Sequence, residues 1–118
     1  MAQGRMRRVD EAVREVLSDA ISTDLKDPRV GFVTVTAVKT SRDLRHARVY
    51  VSVLGDAPGR EETLAGLRSA HGFLQAAISR ELKLKHTPTL TFEYDETVER
   101  AARLSELLEH GPEGSPDA

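Results

Sequence analysis

Apolar residues near the N-terminus recur at intervals of three and four, which is the spacing of one face of a helix. Charged and hydroxyl residues fill many of the positions between them. The pattern predicts an amphipathic helix that ends at Asp27-Pro28, because a residue before proline is disfavoured in the helical conformation. Leu25 is expected to pack the last turn into the core. The apolar stripe comprises Val9, Val13, Val16, Leu17, Ala20 and Ile21.

Two β-branched segments then predict a pair of strands joined by a short turn. The first covers residues 33–38 and is too short for a stable buried helix. The second covers residues 47–53 and alternates, so that one of its faces carries the core residues. Between the strands, Ser41 and Asp43 are placed to accept hydrogen bonds from turn amides. The core-facing residues of the second strand are Ala47, Val49, Val51 and Val53.

A loop at residues 55–59 leads into a helical pattern that is interrupted by Ala70-His71-Gly72 and resumes to about Lys83. Glu61 and Glu62 are expected in its first turn, where the helix dipole favours acids. A glycine inside a helix costs about 1 kcal/mol relative to alanine. The interruption therefore indicates one of two structures. One is a kink that lets a backbone or a phosphate approach closely, and the other is a glycine cap between two ordinary helices.

The last part of the chain predicts a third strand, a short helix and a tail. Leu90, Phe92 and Tyr94 alternate with polar residues and give the strand. The helix covers about residues 98–108. Residues 111–118 are expected to form a disordered acidic tail, because glycine, proline and acids dominate them. The apolar side of the final helix carries Ala101, Ala102, Leu104 and Leu108.

These elements predict a single α+β domain over residues 1–110, in the order helix, strand, strand, kinked helix, strand and short C-terminal helix. Because the connection between the second and third strands passes through helix, we expect a three-stranded mixed sheet. Helices should cover one face of the sheet and leave the other open. The predicted core includes Val13, Leu17, Val35, Val51, Leu74, Ile78 and Phe92.

Composition limits the class of protein. The 118 residues are 39% hydrophobic and 31% charged and include no cysteine, which excludes disulfides and thiolate metal sites. No apolar run approaches the ~20 residues of a membrane span, and the chain is charged from Arg5 onward, so we expect a cytoplasmic protein. Residues 1–90 carry 15 basic and 11 acidic side chains, whereas residues 91–118 carry 2 and 8. This asymmetry is compatible with nucleic-acid binding by the body and equally with an ordinary solvated surface.

Residues that serve catalysis or cofactor binding are not arranged as the common motifs require. The four histidines lack a helical pairing with a second metal ligand. No glycine-rich phosphate loop and no nucleophile elbow occurs in the chain. We therefore expect no enzymatic activity, no cofactor and no metal.

Several short stretches occur in an order and at a spacing that resemble a known family. They cover most of the chain from Arg7 to Leu107, and they are Asp27-Pro28-Arg29, Val33-Thr34-Val35-Thr36, Ser41-Arg42-Asp43-Leu44 with residues 47–51, Ala70-His71-Gly72, and residues 88–92 with Asp95. The chain resembles type II KH domains and, in detail, the ribosome-binding factor A family of bacterial small-subunit assembly factors.

This resemblance implies a monomeric, non-catalytic protein that binds 16S ribosomal RNA on the immature 30S subunit. It also implies help in late maturation, including processing of the RNA 5′ end, and importance in the cold. KH domains that clamp single strands use Gly-x-x-Gly, whereas this chain has Ser69-Ala70-His71-Gly72, the Ala-x-Gly form of the resembled family. Two alternatives stay open. One is a general single-stranded nucleic-acid module, and the other is a protein-interaction domain whose acidic end, residues 93–117, docks on another factor such as an assembly GTPase.

Candidate RNA-binding residues form three basic groups and the helix break. Phosphate attraction dominates affinity for structured RNA, so clustered arginine and lysine are the natural candidates. Each cluster also has a simpler explanation in solvation, in ion pairing or, for the third, in the helix C-terminus. The candidates are Arg5, Arg7 and Arg8 on a flexible N-terminal arm, Arg42, Arg45 and Arg48 around the strand–strand turn, Arg80, Lys83 and Lys85 beside His86 at the end of the middle helix, and His71 with Gly72 at the break. Arg29 is expected to lock the turn at Asp27 through an ion pair.

Overall fold

A computed structural model describes residues 2–110 of the chain. Helix α1 (Ala2–Asp19) continues into one π-helical turn (Ala20–Asp24), followed by strands β1 (Val33–Thr40) and β2 (His46–Val53). Helices α2 (Ala57–Ser69) and α3 (His71–Glu81), strand β3 (Thr89–Tyr94) and helix α4 (Glu96–His110) complete the order. The predicted tail at residues 111–118 lies outside the described residues.

The three strands form one sheet in the order β1-β2-β3. Strands β1 and β2 are antiparallel, with Val33 opposite Val53, whereas β2 and β3 are parallel. A bulge between Val35 and Ala37 adds one residue, Thr36, to β1. The predicted mixed sheet is confirmed, because the chain reaches β3 through α2 and α3.

One apolar core lies between the sheet and helices α1, α2 and α3. Every residue of the predicted core is buried, and the alternation of β2 turns its four predicted residues inward. Leu25 packs against this core, as the sequence predicts. The α+β architecture with helices on one face of the sheet is therefore confirmed.

Helix α1 begins and ends earlier than the pattern predicts. Because nothing before Val9 breaks the helix, it starts at Ala2, and the prediction of a flexible arm is wrong. The backbone becomes extended at Leu25, where ψ is 123°, ahead of Asp27-Pro28. The basic residues assigned to the arm lie in the first turns of α1, and they are Arg5, Arg7 and Arg8.

Helix α2 also begins before its predicted start. Asp56 caps it, since a carboxylate oxygen accepts a hydrogen bond from the Gly59 amide at 3.0 Å. Pro58 is tolerated in the first turn because no intrahelical bond needs its missing N–H. Glu61 and Glu62 therefore occupy the second turn, and the prediction that they lie in the first is wrong.

The predicted interruption of the middle helix is confirmed at Ala70, where the backbone leaves the helical region with φ −90° and ψ 10°. His71 begins α3, which ends at Glu81 rather than at about Lys83. A Cβ atom added to Gly72 would meet nothing within 4 Å. The close approach that glycine allows occurs elsewhere, at Gly66 of α2.

Helix α4 extends beyond its predicted range at both ends. Asp95 supports its first turn by accepting a hydrogen bond from the Thr97 amide at 2.9 Å. Leu104 and Leu108 are exposed, so the predicted apolar side of α4 does not pack on the domain. Among the described residues, no helix has the length and apolar character to cross a membrane.

Candidate nucleic-acid interface

A groove opens at the end of the sheet where β1 turns into β2. Its walls are the first turns of α1, the turn at residues 41–45 and the segment at residues 82–88 that leads to β3, and its volume is about 640 Å³. We call it the basic groove. Its charged lining is Arg5, Arg42, Asp43, Arg45, Lys83 and Lys85, with His86 beside them.

The β1–β2 turn is held in one shape by its own side chains. Ser41 Oγ accepts a hydrogen bond from the His46 amide at 3.1 Å and donates to Asp43 at 2.6 Å. Asp43 in turn accepts from the Arg45 amide at 3.1 Å, which confirms the predicted roles of Ser41 and Asp43. These bonds from the Ser41 hydroxyl and the Arg45 amide hold the pKa of Asp43 below its usual value. Leu44 adopts a positive φ of 63° at the tip of the turn.

The segment after α3 presents its lysines by alternation. Leu82 and Leu84 are half-buried against the core, whereas Lys83 and Lys85 are exposed. The segment is also fastened to the β1–β2 turn, because the Thr89 amide donates to the Arg45 carbonyl at 2.8 Å. Two basic groups that are far apart in the sequence therefore line one groove.

Helix α1 supplies the third wall. Arg5 lines the basic groove, and Arg7 lines an adjoining groove of about 430 Å³ between α1 and β1. Arg42 lines both grooves and links them. The Asp10 carboxylate accepts a hydrogen bond from the Thr40 amide at 2.9 Å, which fixes α1 against the end of β1. Arg8 is exposed and lines neither groove.

Two predicted site residues face other surfaces. Arg48 lies on the open face of the sheet, where its guanidinium is 3.0 Å from the Glu93 carboxylate. Arg80 lies 3.8 Å from Glu81, in a hollow that Glu15 also lines. Because α3 ends at Glu81 and the chain becomes extended, Arg80 and Lys83 diverge despite their proximity in sequence.

The helix break also lies away from the basic groove. His71 and Gly72 stand at the start of α3, and an 11-residue helix spans about 16 Å before Lys83 is reached. The His71 ring is exposed, with Nδ1 3.2 Å from the Arg68 carbonyl oxygen. Arg68 donates to the Phe92 carbonyl of β3 at 3.3 Å, so the polar groups at the break are engaged with the protein's own backbone.

The predicted turn before β1 is confirmed. The Arg29 guanidinium donates to both oxygens of the Asp27 carboxylate, at 3.1 and 2.8 Å, and the Arg29 amide donates to the same group. These hydrogen bonds from Arg29 hold the pKa of Asp27 below its usual value. The turn packs on Gly66 of α2, where an added Cβ would lie 2.8 Å from Val30 Cγ2.

Sequence reasoning missed the apolar part of the groove. Its floor includes Met6, Val9, Leu44 and Leu84, and the alternation of leucine and lysine over residues 82–85 was the signal that could have found it. In the part of the chain that the structure describes, no group of histidine and acidic residues is arranged to hold a metal ion.

The fold is a KH-like α+β domain. It combines a three-stranded mixed sheet with an interrupted middle helix, and it carries the basic groove at one end. A family model described as ribosome-binding factor A matches residues 5–108. The chain therefore belongs to the ribosome-binding factor A family, which is associated with ribosome biogenesis and RNA binding.

Individual relatives agree with this assignment. Ribosome-binding factor A of Halothermothrix orenii is 45% identical over 108 residues, which are 92% of this chain and 88% of that protein. The crystal structure of ribosome-binding factor A from Thermus thermophilus superposes with a TM-score of 0.67 at 29% identity, covering 75% of this chain and 94% of that one. A Thermus thermophilus homology model fitted into the cryo-EM map of a 30S–RbfA complex gives a TM-score of 0.61 at 30% identity, covering 74% and 91%.

Proposed function

We propose that this protein binds 16S ribosomal RNA of the immature 30S subunit through the basic groove and assists late maturation, including processing of the 5′ end. It acts as a cytoplasmic monomer, without catalysis, and is important in the cold. The fit of the similar Thermus thermophilus protein into a 30S complex supports the choice of particle. Docking of the acidic end on an assembly GTPase stays a prediction.

The observation that carries this proposal is the convergence of cations from three separate parts of the chain. Five arginine and lysine side chains line one groove, and Asp43, the one acid there, is engaged by the turn. Affinity for structured RNA comes mainly from phosphate contacts and shape. A concave surface lined by several cations fits a phosphate backbone.

A binding protein can assist maturation by differential affinity. If the groove fits one conformation of the immature RNA and not the mature one, binding shifts the population toward the immature conformation. The protein then leaves when the mature conformation forms. The rigidity of the β1–β2 turn supports this role, because a preformed surface discriminates between shapes at little entropic cost. No reacting group is needed for such a function.

The alternative of a general single-stranded module is disfavoured. A phosphate clamp requires bare backbone, and only Gly72 of the KH pattern is present. Arg68 donates a hydrogen bond to the Phe92 carbonyl, and Gln75 donates one to the Pro88 carbonyl at 2.8 Å. The Phe92 carbonyl of β3 and the Pro88 carbonyl just before it are therefore already bonded.

The proposal is tested by the salt dependence of binding to purified immature 30S subunits. Replacing Arg45, Lys83 and Lys85 together by glutamine should weaken binding. It should also make the negative slope of log K against log salt shallower, by about 0.7–0.9 for each phosphate that the variant no longer neutralises. The matched control replaces Arg14, Arg48 and Arg80 by glutamine, since each is ion-paired with a glutamate and lies outside the basic groove. A shallower slope in the control, with an unchanged slope in the groove variant, would reject the basic groove as the RNA site.

A further inference from the structure

The end of the sheet opposite the basic groove has a different surface. Because Val33 pairs with Val53 and β3 runs parallel to β2, the start of β1, the end of β2 and the end of β3 lie together there. The eight residues of β2 separate this end from the groove by about 26 Å. Helix α4 leaves from this end, since the Asp95 amide, just before it, donates to the Val51 carbonyl at 2.7 Å.

This end exposes several large apolar side chains. Phe32 is 83% exposed and Leu54 is 81% exposed, and the two residues are joined by a backbone hydrogen bond. Helix α4 adds Leu104, Leu107 and Leu108, each more than half exposed. Leu104, Leu107 and Leu108 are three and four residues apart and so share one face of α4, and grouped exposed apolar residues mark interaction sites. Among the described residues, the one other exposed large apolar side chain is Phe73, which is 44% exposed.

The charge of the same end is acidic. Residues 95–110 carry five acidic and two basic side chains, and residues 54–62 carry three acids and one arginine. One of the α4 arginines, Arg100, is 3.2 Å from Glu96, which offsets its charge. Phosphate is therefore repelled from this end, and a second copy of the chain would bring like charges together.

We propose that α4 and the Phe32–Leu54 patch form a docking surface for a positively charged protein component of the small subunit. This inference rests on the proposed function. Exposed leucines supply the apolar contact, and the surrounding acids select a basic partner. The domain then binds the particle at two places, with RNA at one end of its sheet and protein at the other. Both contacts can form at once without a change in the fold.

The partner is identified by photo-crosslinking of the full-length chain bound to purified immature 30S subunits. A photoreactive residue in place of Leu107 should crosslink to a ribosomal protein, whereas the same residue in place of Thr87, exposed beside the basic groove, should crosslink to ribosomal RNA. Crosslinks from position 107 to RNA alone, to a second copy, to another segment of the same chain or to nothing overturn the inference. Loss of both crosslinks together with loss of binding overturns the proposed function as well.

A second measurement separates apolar docking from charge. Replacing Leu104, Leu107 and Leu108 by serine should raise the Kd for 30S subunits about tenfold or more, and should leave the slope of log K against log salt unchanged because the same phosphates stay neutralised. The control Ser105→Ala changes α4 without removing an exposed leucine. An unchanged Kd in the triple variant, with a normal circular dichroism spectrum, rejects the docking surface.

Discussion

At the scale of single residues, the two glycines of the middle helices have different consequences. Gly72 stands out in the sequence because it interrupts an apolar pattern, yet its Cβ position is open. Gly66 does not stand out, yet an added Cβ would lie 2.8 Å from Val30 Cγ2 and 3.3 Å from Arg29 Cβ. The need for glycine at position 66 comes from a turn more than thirty residues away, so no local pattern could reveal it.

We expect Gly66→Ala to destabilise the domain by about 1–3 kcal/mol, because overpacking outweighs the gain of about 1 kcal/mol in helix propensity. The control Gly72→Ala meets open space and should be neutral or stabilising by up to about 1 kcal/mol. Urea denaturation of both variants measures the free energy of unfolding. A Gly66→Ala variant more stable than the parent would show that the Asp27–Val30 turn is free to move.

At the scale of elements, Asp95 connects three parts of the fold. Its carboxylate accepts hydrogen bonds from the Thr36 hydroxyl at the β1 bulge and from the Thr97 amide at the start of α4. Its own amide donates to Val51 of β2. The Thr36 hydroxyl is the main cause that lowers the pKa of Asp95, with the Thr97 bonds adding to it.

A carboxyl group with a lowered pKa stabilises the fold above its unfolded pKa of about 3.9, and this contribution disappears as the pH falls through the folded pKa. Asp95→Asn should therefore be less stable than the parent at pH 7, and the difference should narrow below about pH 4. Glu109→Gln, an exposed change on α4, is the control. A difference that stays constant from pH 7 to pH 2.5 would contradict this role of the Asp95 charge.

The types of the elements could be predicted because each has a clear apolar period. Their ends could not, since a helix end depends on which group satisfies the free amides. The sequence pattern places Asp56 and Pro58 in a loop, although together they are suited to begin a helix. The start of α1 escapes the pattern because the charged residues ahead of Val9 give no apolar signal, while nothing there stops a helix.

At the scale of the whole molecule, the basic residues could be recognised in the sequence, but their arrangement in space could not. Arg5, Arg45 and Lys85 line one groove because α1, the β1–β2 turn and the segment before β3 meet at one end of the sheet. Arg48 and Arg80 face elsewhere, because strand alternation and the end of α3 turn them away. Such arrangement follows from the packing of elements, which a linear pattern does not contain.

The central claim, that the basic groove faces ribosomal RNA, is most directly tested by site-directed hydroxyl-radical probing. The chain has no cysteine, so Thr87→Cys beside the groove and Glu61→Cys at the opposite end each give one tethering site for an iron chelate. On immature 30S subunits, we expect strong cleavage of a compact set of 16S nucleotides from position 87 and weak cleavage from position 61. Strong cleavage from position 61 with none from position 87 would contradict the claim.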